Sequence, residues 1–92
     1  MIISFQHKGL KKFYETGSSS GIQTQQVKRL RLILGALDAA TEIRDMNFPG
    51  SGLHPLKGKY KDFWSLAVSG NWRIIFKFKN GEVELVDYLD YH

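Results

Sequence analysis

Two periodicities divide the chain: from Lys8 to Leu37 apolar residues recur every three or four positions, and from Phe63 to Tyr88 they recur at every second one. Within Lys8 to Thr16, Leu10, Phe13 and Tyr14 fall at i, i+3 and i+4. This predicts a short amphipathic helix, which Gly17 can end as a left-handed cap. Ser18-Ser19-Ser20-Gly21 reads as a polar linker. Thr24 then caps a longer predicted helix on which Val27, Leu30, Ile33, Leu34 and Leu37 share one face, and Asp38 to Asp45 can add a further turn. Asn47-Phe48-Pro49-Gly50-Ser51-Gly52 holds too many breakers for regular structure and serves as a connection into His54.

In the alternating half, Trp64, Leu66 and Val68 line one face of a strand that ends at Ser69-Gly70-Asn71. The next strand sets Trp72, Ile74, Phe76 and Phe78 on one face and Arg73, Ile75 and Lys77 on the other. Asn80-Gly81 is a strong hairpin signal before a last strand running from Glu82 to about Tyr88. With Ile2-Ile3-Ser4-Phe5 as a short β-prone segment, the predicted order is a short strand, two helices and a three-stranded antiparallel meander. That is an α+β fold with both helices packed on one face of the sheet. The second face is then expected to be open and basic, through Arg73 and Lys77.

Composition supports one compact domain over residues 1–92: 42% of residues are hydrophobic, with six Phe, four Tyr and two Trp. Thirteen Lys and Arg against nine Asp and Glu leave a net charge of +4 and a pI near 9.5, which points toward a polyanionic partner. The absence of cysteine excludes disulfides, thiolate metal sites and a Cys nucleophile. No signal-type apolar stretch opens the chain and no run approaches the ~20 apolar residues of a membrane span, so a cytoplasmic protein without membrane attachment is expected.

Three groups of residues can do chemistry: His54-Pro55-Leu56-Lys57-Gly58-Lys59, Asn71-Trp72-Arg73-Ile74, and Asp90-Tyr91-His92. Cleavage of RNA by its own 2′-hydroxyl needs a base, an acid and cations on the phosphoryl oxygens. His54 and His92 are imidazoles suited to moving protons, Lys57 and Arg73 can neutralise a phosphate, and Asp90 or Tyr91 can orient an imidazole or take part in proton transfer. No cofactor or metal is needed, and no short His-x-His or His-x-x-x-His spacing supports a metal site.

Each residue also has a plainer reading. His54 can be a turn residue, Lys57, Lys59 and Lys61 a solvated charge run, and the end of the chain a frayed tail. Arg73 can pair with Asp62, Asp87 or Glu84 across the sheet. Lys28, Arg29 and Arg31 read first as a solvated helix face and second as an RNA-binding stripe. His7 has no neighbour that gives it a role.

Taken together, Leu53-His54-Pro55-Leu56-Lys57-Gly58, Trp64-Ser65, Asn71-Trp72-Arg73-Ile74, Asp87-Tyr88 and the closing Asp90-Tyr91-His92 resemble the HigB toxins of the RelE/ParE superfamily. The resemblance runs along the whole chain. It implies a microbial-ribonuclease-like fold and a metal-independent, ribosome-dependent endoribonuclease that cuts mRNA at A-site codons and halts translation. It implies as partners the 70S ribosome and mRNA, and a HigA-like helix-turn-helix antitoxin through which alone operator DNA is bound. Carried over, the site falls on His54, Lys57, Arg73, Asp90, Tyr91 and His92.

Two rivals share these residues: a ParE-like toxin that inhibits DNA gyrase without cutting anything, and a non-catalytic nucleic-acid-binding module. If the terminal imidazole moves a proton, His92→Ala, or deletion of Tyr91 and His92, abolishes growth arrest on expression and leaves the circular-dichroism spectrum unchanged. Undiminished toxicity would remove the tail from the chemistry.

Overall fold

The computed structural model describes residues 1–91. Helix α1 spans Lys8–Thr16 and helix α2 spans Val27–Ala39; strands β1 (His54–Pro55), β2 (Trp64–Ser69), β3 (Trp72–Lys79) and β4 (Glu82–Asp90) follow. The strands form one antiparallel sheet in the order β1-β2-β3-β4. The β-prone start of the chain adds to the free edge of β4 in parallel, through bridges of Ile2 with Val83 and Phe5 with Val86 instead of a full strand. Main-chain bonds from Ile3 N–H to Val83 O and from Gln6 N–H to Val86 O, both 2.8 Å, hold it there. No helix among the described residues is long and apolar enough to cross a membrane.

The helix faces lie as the 3.6-residue period requires. Leu10 and Phe13 of α1 and Leu30, Ile33, Leu34 and Leu37 of α2 are buried, and they pack with Leu66, Ile74, Phe76, Val83, Val86 and Tyr88 of the sheet in one core cluster. Each such side chain stabilises the fold by roughly 1.5–3 kcal/mol relative to exposure. Gly17 ends α1 at φ 82° and donates to Phe13 O at 2.9 Å, as a left-handed cap should.

The helix starts differ from expectation. Thr24 does not cap α2; it opens a 3-10 turn, Thr24–Gln26, that leads into the helix. Buried Gln26 accepts a hydrogen bond from the Tyr88 hydroxyl, and burial pushes that phenol's pKa up. His7 is not an idle surface residue: its Nδ1 accepts from Leu10 N–H at 2.9 Å and caps α1, with the ring edge-on to Tyr88. The serine-rich linker also packs, since a Cβ on Gly21 would stand 2.9 Å from the Gly9 Cα, so two backbones touch where both residues lack side chains. The further turn after α2 is a 3-10 turn over Ile43–Met46.

Two register shifts shape the sheet. One falls between Ala67 and Ser69 on β2, the other opposite Ile75 and Lys77 on β3, where β4 carries an extra residue. At the second, Leu85 adopts φ 56° and its N–H is taken by Ser4 Oγ at 2.8 Å, so Val83 and Val86 both reach the core on either side of a β-bulge. The far face of the sheet is less open than the alternation implies. Ile75 is fully buried there, as is most of Ser65, and Lys77 lies over the ring of Phe63 at 5.4 Å.

Asp38 ties three elements together, accepting at one oxygen from Ile2 N–H (3.0 Å) and from the Tyr14 hydroxyl (2.9 Å). The Ile2 bond and then the Tyr14 bond hold its carboxyl below the usual carboxylate range, and the same contact pushes the Tyr14 phenol up. A carboxylate depressed in the folded state adds stability above its unfolded pKa and loses it as pH falls through the folded value. Asp38→Asn therefore destabilises by no more than about 1 kcal/mol near neutrality, since the group is exposed, and the deficit shrinks in acid below the carboxylate range. Urea melts of both proteins at the two pH values check this; a deficit that grew in acid would contradict it.

Candidate active site

The site is built on the face of the sheet away from the helices. Pro55 restricts His54 to extended backbone, which suits the two-residue edge strand β1, and an edge tolerates proline's missing N–H. Antiparallel partners share a face, so the registers His54 with Ser65, Ser65 with Ile75 and Ile75 with Asp87 form one row across four strands. Ala67, Arg73 and Leu89 form a second row on that face. Topology thus brings His54 and Arg73 to one surface from positions 19 residues apart (73 − 54).

The Arg73 guanidinium makes none of the expected ion pairs with Asp62, Asp87 or Glu84. Its Nη1 donates to the carbonyls of Gly70 (2.8 Å) and Trp72 (3.0 Å), and among the described residues the salt bridge that forms is Arg44 with Glu42. A cation held by carbonyls keeps its full charge for an anion arriving from solvent. Tyr91 is tethered as firmly as a strand residue. Beyond the Trp72 and Asp90 pair its N–H donates to Asn71 O at 2.7 Å, so the chain is held through position 91 and does not fray there.

His54, Arg73 and Tyr91 line one depression of about 260 Å³, together with Gly52, Leu56, Ser65 and Ala67. A second, of about 490 Å³, is lined by Lys57, Lys59, Tyr60, Leu89, Asp90 and Tyr91. Tyr91 borders both, so the two form adjoining halves of one surface. Lys57 reaches it because Gly58, at φ 69°, lets the chain turn sharply into the 3-10 turn Gly58–Tyr60, and because Leu56 N–H closes the excursion on Phe63 O at 2.9 Å.

Asp90 stands opposite Trp72, on the register row alternate to Arg73 and Leu89, and borders the second depression only. Tyr91, which strand alternation turns away from Asp90, is on the side that carries His54 and Arg73. The sixth candidate, His92, lies outside the described residues. The sequence reading missed Tyr60, whose ring is 6.3 Å from that of Tyr91, edge-on to Phe63 at 5.7 Å and beneath the Lys59 ammonium at 5.2 Å. An aromatic directly after Lys57-Gly58-Lys59 was the available signal.

Of the helix cations, Arg29 is half-buried and bonded within the fold: its Nη2 donates to Gly50 O at 2.6 Å and to Ala67 O at 3.1 Å. Arg31 lies over the Phe13 ring. A further depression of about 440 Å³ separates α1 from α2, but its polar groups serve the fold, Asp38 being engaged by Tyr14 and Ile2.

The chain thus combines a four-stranded antiparallel sheet, two helices on one face of it and a cationic, imidazole-bearing depression on the other. A family model described as the RelE-like toxin of the type II toxin-antitoxin system HigB matches residues 3–92, and the chain belongs to that family. It is 49% identical over 92 residues to Endoribonuclease HigB of Proteus vulgaris, covering all of both chains. It is 33% identical over 98 residues to Toxin HigB-1 of Vibrio cholerae serotype O1, covering 100% of this chain and 98% of the relative.

Solved structures agree in fold. YafQ of E. coli superposes with a TM-score of 0.56 at 15% identity, covering 96% of this chain and 89% of that one. YoeB in the Staphylococcus aureus YoeB-YefM complex does so with 0.59 at 14%, covering 97% and 95%.

If Arg73 meets a phosphate, Arg73→Gln weakens binding to a single-stranded oligoribonucleotide. It also lowers the slope of log K against log salt by about 0.7, the value of one phosphate contact on a single strand. Titrations by fluorescence anisotropy at several salt concentrations measure this. Equal slopes for the two proteins would place Arg73 outside the contact.

Proposed function

We propose that this toxin is an endoribonuclease that cleaves mRNA on the ribosome, at codons in the A site, through attack of the RNA's own 2′-hydroxyl. The observation that carries the reading is the meeting of His54, the carbonyl-held Arg73 cation and the tethered Tyr91 in one depression, with Lys57 beside it. One imidazole takes the 2′-hydroxyl proton as the oxygen attacks phosphorus. Lys57 and Arg73 stabilise the charge that builds on the phosphoryl oxygens, and a second group protonates the departing 5′-oxygen. The products are a 2′,3′-cyclic phosphate and a free 5′-hydroxyl.

His54 handles one of these protons, and His92 oriented by Asp90 handles the other. Tyr91, at the junction of the two depressions, stacks on a splayed nucleotide, and Tyr60 widens that aromatic surface. The net charge of +4 suits a protein entering a crowded rRNA site, because each phosphate contact releases counterions. The partner that restrains the toxin is a HigA-like antitoxin, which also supplies contact with operator DNA. A gyrase-directed toxin would have no use for an imidazole placed beside a phosphate-binding arginine.

Purified protein mixed with translating ribosomes, followed by primer extension on the mRNA, should give cuts confined to A-site codons, with the same mRNA left whole when ribosomes are omitted. A supercoiling assay with gyrase runs beside it. Intact mRNA together with blocked supercoiling would replace the nuclease by the gyrase reading.

A further inference from the structure

We propose that Arg29, on α2, is a positioning residue for His54, an inference that rests on the reading of His54 as a group that moves a proton. Arg29 stands behind the sheet edge and is half-buried. Both of its hydrogen bonds leave one nitrogen, Nη2, and end on carbonyls of two different segments: Gly50 in the connection before β1, and Ala67 in β2 at its register shift. The guanidinium also lies over the Phe48 ring at 5.9 Å. The planar guanidinium fixes the directions of the two Nη2 hydrogens, whereas a lysine ammonium on a flexible stem holds such a geometry poorly.

The bridged segments lead directly to His54. Ser51, almost wholly buried, accepts at its carbonyl from Ala67 N–H (2.8 Å), and its hydroxyl accepts from Leu53 N–H (3.4 Å). Gly52, at φ 61°, lets the chain pass so close to β2 that an added Cβ would stand 3.1 Å from the Ala67 Cβ. Ala67 is in register with Arg73, so the strand that Arg29 grips carries the phosphate-facing cation as its neighbour. β1 itself has only two residues, too few to fix His54 by strand pairing alone. Arg29 therefore sets the distance between the His54 imidazole and the Arg73 guanidinium without touching RNA.

The test uses the full chain with Arg29→Met, which keeps an unbranched apolar side chain on α2 and removes both donors, and with Arg29→Lys. Cleavage of mRNA on programmed ribosomes should lose roughly ten- to a hundredfold in kcat at unchanged KM, as expected for a displaced catalytic group. Arg29→Lys should fall between the extremes. By NMR, the His54 ring signals should shift and amide exchange at Ala67 should rise, while the circular-dichroism spectrum stays that of the wild type.

A raised KM and a reduced salt slope, with the His54 signals unmoved, would make Arg29 an RNA contact and overturn the proposal. Unchanged kcat despite a loosened loop would overturn it too. If the wild-type protein cuts nothing, the nuclease reading fails, and the His54 signals still decide: unmoved in Arg29→Met, they refute positioning, and moved, they uphold it.

Discussion

The pairing of β3 with β4, carried one step further by the Tyr91 N–H on the Asn71 carbonyl, is the constraint on which the rest of the structure depends. It places Arg73 beside Leu89, supplies the inner row of Ile74 and Tyr88 on which the helices pack, and delivers Tyr91 to the site. On the inner side the ladder is reinforced by Trp72 stacked on Tyr88 at 4.6 Å, and Tyr88 in turn reaches back to Gln26 and Gln23 at the start of α2. One pair of strands thus links the helical layer to the face that carries His54 and Arg73.

The regular elements were legible because their side-chain burial is periodic, and both helix faces and the two hairpins lie where apolar spacing put them. Part of what escaped the reading depends on partners far away in sequence, and part on local exceptions to the capping rule. Leu85 is an ordinary strand residue until Ser4 takes its N–H and allows the left-handed kink. His7 is an unusual cap, since short oxygen-bearing side chains dominate that position, and Thr24 fits the rule yet lies in a preceding 3-10 turn. The burial of Ile75 could not be read from alternation alone, because alternation assigns a face but not what covers it.

The candidate site was legible as residue types and only partly as geometry. His54 and Arg73 share a face because register brings them there, whereas Lys57 and Asp90 belong to the adjoining depression. Among the described residues, no carboxylate forms a salt bridge with the cations of this surface. Arg73 is held by carbonyls and Lys59 sits over an aromatic ring, arrangements that fix direction while sparing charge. By contrast, Arg29, equally cationic in sequence, is committed to internal carbonyls.

The N-terminal segment lies in parallel against β4, with Ser4 bonded to a residue 81 positions later. Synthesis reaches Ser4 81 residues before Leu85, and closing so long a loop carries an entropic cost that is not offset until both segments are present. The sheet edge beside Val83 and Val86 is therefore completed only after the helices and the first three strands have been made.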